Sequence, residues 1–131
     1  MEEDGSALVL RWLREATAAA TSAIAYVEAR AAMARRRQLS HVLGADYRRI
    51  VRDFDADWER YIRLDVTEGL LRDAAGLAES HKLRVYDAVH LASALAFRNR
   101  QGGGVSLASW DHELAAAARR EGFDVLPGRR G

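Results

Sequence analysis

The sequence predicts an α/β domain in which a small parallel β-sheet is flanked by helices. Three observations carry that prediction. The chain is 131 residues long, one domain's worth of protein, so residues 1–131 are read as a single domain. Hydrophobic residues make up 49% and charged residues 30%, the balance of a folded domain with a real core. Short apolar runs also alternate with longer segments of helical periodicity, the pattern left by strands joined through helices.

Element by element, a first helix is expected after Ser6, from about Ala7 to Glu15, with Leu8, Trp12 and Leu13 on one side. Within Thr17 to Ala25 the residues are small and weakly polar, which suits a short strand. Tyr26 to Arg37 reads as a helix ending in the basic run Arg35-Arg36-Arg37. From about Leu39 to Arg60, Val42, Tyr47, Ile50, Phe54 and Trp58 recur near helical spacing. Tyr61 to Val66 alternates at period two and is read as a strand. Thr67 is a plausible N-cap for a helix to about Ser80, with Leu70, Leu71, Ala74 and Leu77 on its apolar face.

Tyr86 to Asn99 gives the strongest helical pattern. Its apolar residues wrap much of the surface, so this helix is expected to be buried. Gly102-Gly103-Gly104 ends it. Val105 to Ala108 follows as a buried strand, Asp111 to Arg120 as a helix stopped by Gly122, and Phe123 to Leu126 as the last strand.

Composition excludes several classes of function. There are no cysteines, hence no disulfide framework and no thiolate zinc site. No apolar run approaches the roughly 20 residues that span a bilayer, and Met1-Glu2-Glu3-Asp4 is acidic where a signal peptide is basic. A cytoplasmic location with no membrane partner is expected. The formal net charge of +1 argues neither for nor against a nucleic-acid partner. Gly102-Gly103-Gly104 precedes a strand rather than a helix, so it is not a phosphate-binding loop.

Parallel sheets place chemistry where strands run into helices. Three acids fall at or near such junctions: Glu28, Asp87 and Asp111, separated by 59 and 24 positions. Brought together, they would repel one another unless protonated or neutralised by a cation. Hard divalent ions, Mg²⁺ or Mn²⁺, match oxygen ligands of this kind. Each acid also has a plainer reading. Asp87 and Asp111 lie in helical first turns, where the helix dipole favours a carboxylate; Glu28, on the residues alone, reads first as an exposed helical glutamate. His90, one turn beyond Asp87, suits a ligand or a hydrogen-bonding role. Ser109 suits either a site accessory or an N-cap. Arg30 and the Arg35, Arg36, Arg37 run could meet phosphate; Arg48, Arg49 and Arg52, interleaved with aspartates, read as a solvated face. Trp12, Trp58 and Trp110 read as core or interface residues.

Three segments resemble the PIN-domain family, most closely its VapC-type toxin ribonucleases. Thr21-Ser22-Ala23-Ile24-Ala25-Tyr26-Val27-Glu28-Ala29-Arg30 resembles the second strand and the helix carrying that family's second acid. Tyr86-Asp87-Ala88-Val89-His90-Leu91-Ala92-Ser93-Ala94 resembles its D-A-x-H-L-A-x-A helix, and Ser109-Trp110-Asp111-His112-Glu113-Leu114 its T/S-x-D-x-x-L segment. The resemblance covers about Glu2 to Pro127. It implies a three-layer α/β/α fold and a Mg²⁺- or Mn²⁺-dependent endoribonuclease of a toxin–antitoxin pair. It further implies a site of Glu28, Asp87 and Asp111 with Ser109 as accessory, RNA-backbone contacts from Arg30 and Arg35–Arg37, a small antitoxin partner and a homodimer.

The N-terminus departs from the family pattern, which opens on a strand ending in D-x-S-A-L-V. Asp4-Gly5-Ser6-Ala7-Leu8-Val9 reproduces those letters, which would make Asp4 a weak fourth ligand, but almost nothing precedes it to form the strand. The alternative aligns Glu2 to Ser6 with a later acidic loop, so that the family's first strand and first acid are missing. The second placement fits the spacing better. It keeps open a catalytically impaired PIN-like module that acts by binding protein or RNA. An unrelated helical interaction protein would require all three motif matches to be coincidence.

Overall fold

A computed structural model describes residues 20–40, 44–109 and 111–126. The expected first helix, Asp4, Trp12 and Trp110 lie outside the described residues. Along the chain run β1 (Ala20–Ser22), α1 (Ala25–Ser40), α2 (Gly44–Trp58), β2 (Ile62–Leu64), α3 (Glu68–His81), α4 (Val85–Gln101), β3 (Ser106–Ala108), α5 (His112–Arg120) and β4 (Asp124–Leu126). Every strand pairing is parallel. β1 pairs with β2, Ala20 opposite Ile62 and Ser22 opposite Leu64; β3 pairs with β4, Leu107 opposite Val125. One small sheet was expected, whereas the described strands form two separate pairs. No described strand joins the two pairs into one ladder.

Helix α4 holds the molecule together, packing on α3, β1 and α5. Its buried residues Ala88, Val89, Leu91 and Ala92 meet Leu83, Leu107, Leu114, Phe123 and Val125 in one core. Leu91, Ala117 and Ala118 are 0% exposed. On α5, Ala115, Ala117 and Ala118 are all buried; their small side chains let the helix lie close against the strands and α4.

Helix ends follow local chemistry. Thr67 caps α3 as expected, its Oγ1 accepting the Leu70 N–H at 3.1 Å. Lys82 closes the same helix at φ 58°, the left-handed conformation that ends many helices. The Nε2 of His81 lies 2.8 Å from Glu121, tying the end of α3 to the end of α5.

Helices α1 and α2 form a hairpin over an aromatic cluster. The Tyr26 ring lies 5.6 Å from Phe54 and 5.3 Å from Trp58, centroid to centroid. Its hydroxyl donates to Asp55 Oδ1 at 2.6 Å. Leu39, expected to open the helix that follows, instead lies in α1, which continues to Ser40. No helix of the described residues is long and apolar enough to cross a membrane.

Candidate active site

Glu28 reaches its position through the turn that ends β1. The Oγ of buried Ser22 accepts the Ile24 N–H at 3.4 Å, and Ala23 N–H bonds Leu64 O at 2.9 Å, extending the β1–β2 ladder. Helix α1 then starts at Ala25 and carries Glu28 in its first turn. Asp111 is delivered by the end of β3. Ser109 N–H bonds Leu126 O at 3.0 Å, and Ser109 Oγ accepts the Asp111 N–H at 3.0 Å. The N-cap of α5 is Asp111, its Oδ1 accepting the Leu114 N–H at 2.8 Å, so the capping role considered for Ser109 falls to the aspartate.

Asp87 arrives differently. Only Lys82, Leu83 and Arg84 separate α3 from α4, so Asp87 opens a helix that follows another helix rather than a strand. It is placed by the packing of α4 on β1. Its carboxyl is pushed above the ordinary carboxylate range, first by burial and then by the negative charge of Asp111. Glu28 adds a smaller push, while His90 and Arg84 pull the other way. Glu28 and Asp111, 59 and 24 positions away in sequence, thus both lie within electrostatic reach of Asp87.

Their side chains are not gathered. Among the described residues, no three Asp, Glu or His side chains stand close enough to hold a metal ion as they lie. In kind, the donors fit a hard divalent cation, which takes carboxylate oxygens and keeps several waters. Asp111 spends one oxygen on its cap, and Glu28 spends one on His90: Glu28 Oε1 lies 2.5 Å from His90 Nε2. A cation there would relieve the repulsion felt at Asp87.

Of the basic residues, Arg30 is absorbed into the α1–α2 hairpin. Its Nη1 donates to the Tyr26 hydroxyl at 2.9 Å, and that bond raises its pKa further, keeping it charged. Arg35, Arg36 and Arg37 are exposed on the second half of α1, with Arg37 stacked 4.8 Å from the Tyr47 ring centre. A concavity of about 420 Å³ lined by Arg63, Asp65, Thr67 and Arg100 includes none of the three acids. The Glu28–His90 contact is the feature sequence reasoning missed. The one available signal was a histidine one turn from Asp87, on the face that packs inward.

Asp111 holds two roles that substitution can separate. Asparagine caps a helix about as well as aspartate, whereas alanine loses about 1 kcal/mol. Asp111→Asn is therefore expected to melt close to the parent while Asp111→Ala melts lower. If the carboxylate also serves a cation, both variants bind Mn²⁺ more weakly. Thermal melts and metal titration of the pair check this, and equal Mn²⁺ binding by all three proteins would confine Asp111 to capping.

Fold and site together define a helix-rich α/β domain with three acids near the start of α1, α4 and α5. Comparison with known proteins gives the family. The chain is 34% identical over 125 residues to ribonuclease VapC45 of Mycobacterium tuberculosis (strain CDC 1551 / Oshkosh), covering 95% of this chain and 85% of that protein. The same values hold for ribonuclease VapC49 of Mycobacterium tuberculosis (strain ATCC 25618 / H37Rv). The chain belongs to the VapC family. No family model matches the sequence, and no solved structure matches it.

Proposed function

We propose that this chain is a metal-dependent endoribonuclease, the toxin of a toxin–antitoxin pair, acting in the cytoplasm on a PIN-like three-layer α/β/α scaffold. The observation that carries the reading is the similarity over 95% of the chain to relatives named ribonucleases. The electrostatic coupling of Asp87 with Asp111 and Glu28 supports it from the side of chemistry. Glu28, Asp87 and Asp111 are the residues that would hold Mg²⁺ or Mn²⁺. When bound, such an ion lowers the pKa of a water and neutralises charge on the scissile phosphate.

The chain's own residues supply position and charge. Asp87 must be ionised to serve as a ligand, so its raised pKa means that this readiness is lost sooner as pH falls. Ser109 fixes the backbone of Asp111. Exposed Arg35, Arg36 and Arg37 are suited to hold an RNA backbone, and Arg30 adds a fixed charge nearby while its Nη1 stays on Tyr26. A small antitoxin and a second copy of this chain are the proposed protein partners.

The test is incubation with total cellular RNA, with cut positions read by sequencing the new ends. Discrete cuts are expected with Mg²⁺ or Mn²⁺, lost on chelation and restored by adding metal back. Cutting indifferent to chelation would overturn the metal-dependent reading. A second reading, a PIN-like module without turnover, draws on the side chains' failure to converge among the described residues. Saturable Mn²⁺ or RNA binding with no cleavage of any RNA in the pool would favour it.

A further inference from the structure

The contact between α1 and α4 joins two residues that sequence leaves 62 positions apart. His90 Nε2 lies 2.5 Å from Glu28 Oε1. An ionised carboxylate only accepts hydrogen bonds, so the imidazole Nε2 carries the hydrogen and donates it. The His90 side chain is 23% exposed and that of Glu28 37%. The donor is thus the more enclosed partner, held on the helix that forms the core, and the acceptor is the more open one. Asp87 lies one turn before His90 on that same helix.

We propose that His90 is a positioning residue for Glu28. By engaging Oε1 it fixes the carboxylate plane against α4, so that Oε2 is the oxygen left for a cation. Glu28 would then have one oxygen, not two, to offer a cation. Ligating carboxylates are commonly oriented by such a donor, and removing the donor typically weakens metal binding by about 10- to 100-fold. The inference rests on the reading of Glu28 and Asp87 as metal ligands, and it assigns His90 no bond to the metal.

Calorimetric titration of Mn²⁺ tests it, with each variant's melting curve recorded without metal. His90→Ala is expected to weaken Mn²⁺ binding at least about tenfold. His90→Gln, whose side-chain amide nitrogen can occupy the place of Nε2, is expected to restore most of the affinity. In a Glu28→Gln background, adding His90→Ala should change affinity no further, because His90 acts through Glu28. Parent-like Mn²⁺ binding by His90→Ala, alongside loss in Asp87→Asn, would overturn the positioning role and leave the site standing. A folded His90→Gln that stays as weak as the alanine variant would overturn it too, as would additive losses in the double variant. Mn²⁺ binding unchanged by Asp87→Asn would instead remove the site itself and the inference with it.

Discussion

Asp87→Asn is expected to do two opposite things: to stabilise the metal-free protein at neutral pH and to weaken Mn²⁺ binding at least tenfold, about 1.4 kcal/mol. Both follow from the same electrostatics. Burial, then the charge of Asp111, pushes the Asp87 carboxyl above its ordinary 3.8. A carboxyl whose pKa is higher folded than unfolded binds protons more readily in the native state. Its ionised form therefore opposes folding at any pH above the folded value. That opposition fades as pH falls through the folded value and is gone once pH lies below 3.8. Asparagine carries no charge at any of these pH values. The variant's advantage in melting temperature should be largest near pH 7 and shrink steadily toward pH 4.

Metal reverses the ranking. A ligand that binds only the native state at 100 times its Kd adds about 2.7 kcal/mol. Mn²⁺ is therefore expected to raise the melting temperature of the parent clearly and that of Asp87→Asn little. Melting curves across pH, with and without Mn²⁺, read both effects in one series. An Asp87→Asn protein that melts below the metal-free parent at pH 7 would show that the carboxylate is satisfied by the protein alone. The proposed cation would then lose its electrostatic motive.

Leu91→Ala carries the largest expected cost to stability, about 3 kcal/mol. Leu91 is 0% exposed on α4, the helix that packs on α3, β1 and α5. Close neighbours limit how far the surroundings can relax into the space, so the loss combines transfer and cavity contributions. For a domain of 131 residues this amounts to a melting temperature lowered by roughly 10 °C. Leu39→Ala is the matched control: Leu39 is 81% exposed, and the change should stay within about 0.5 kcal/mol. Chemical denaturation of the two variants against the parent decides the matter. Equal losses would mean that α4 does not organise the core.

The relation between charge and packing also explains what was readable in advance. Thr67 was recognisable as a cap because capping depends on residues within one turn, and Leu70 N–H is three positions away. The buried character of α4 was recognisable because its apolar residues occupy more than one face. Local sequence was less informative at Leu39: its helical spacing suited either neighbouring helix, and only the course of α1 to Ser40 settled which. The aromatic cluster was half legible. Phe54 and Trp58 stood at helical spacing, but nothing in the order of residues announced Tyr26 as their partner.

Residue order alone predicted, for the described residues, the kinds of element, most of their limits and the parallel α/β character, and it singled out the three acids worth following. Each depends on spacing within a few residues, or on a motif whose letters are contiguous. Tertiary structure decided the pairing of β1 with β2 and of β3 with β4, and their separation into two ladders among the described residues. It also decided that Asp111 caps α5 while its charge presses on Asp87, and that Glu28 meets His90 across 62 positions. Those outcomes depend on which faces α4 buries and against what. Packing of that kind is a property of the whole chain, and no short window of residues contains it.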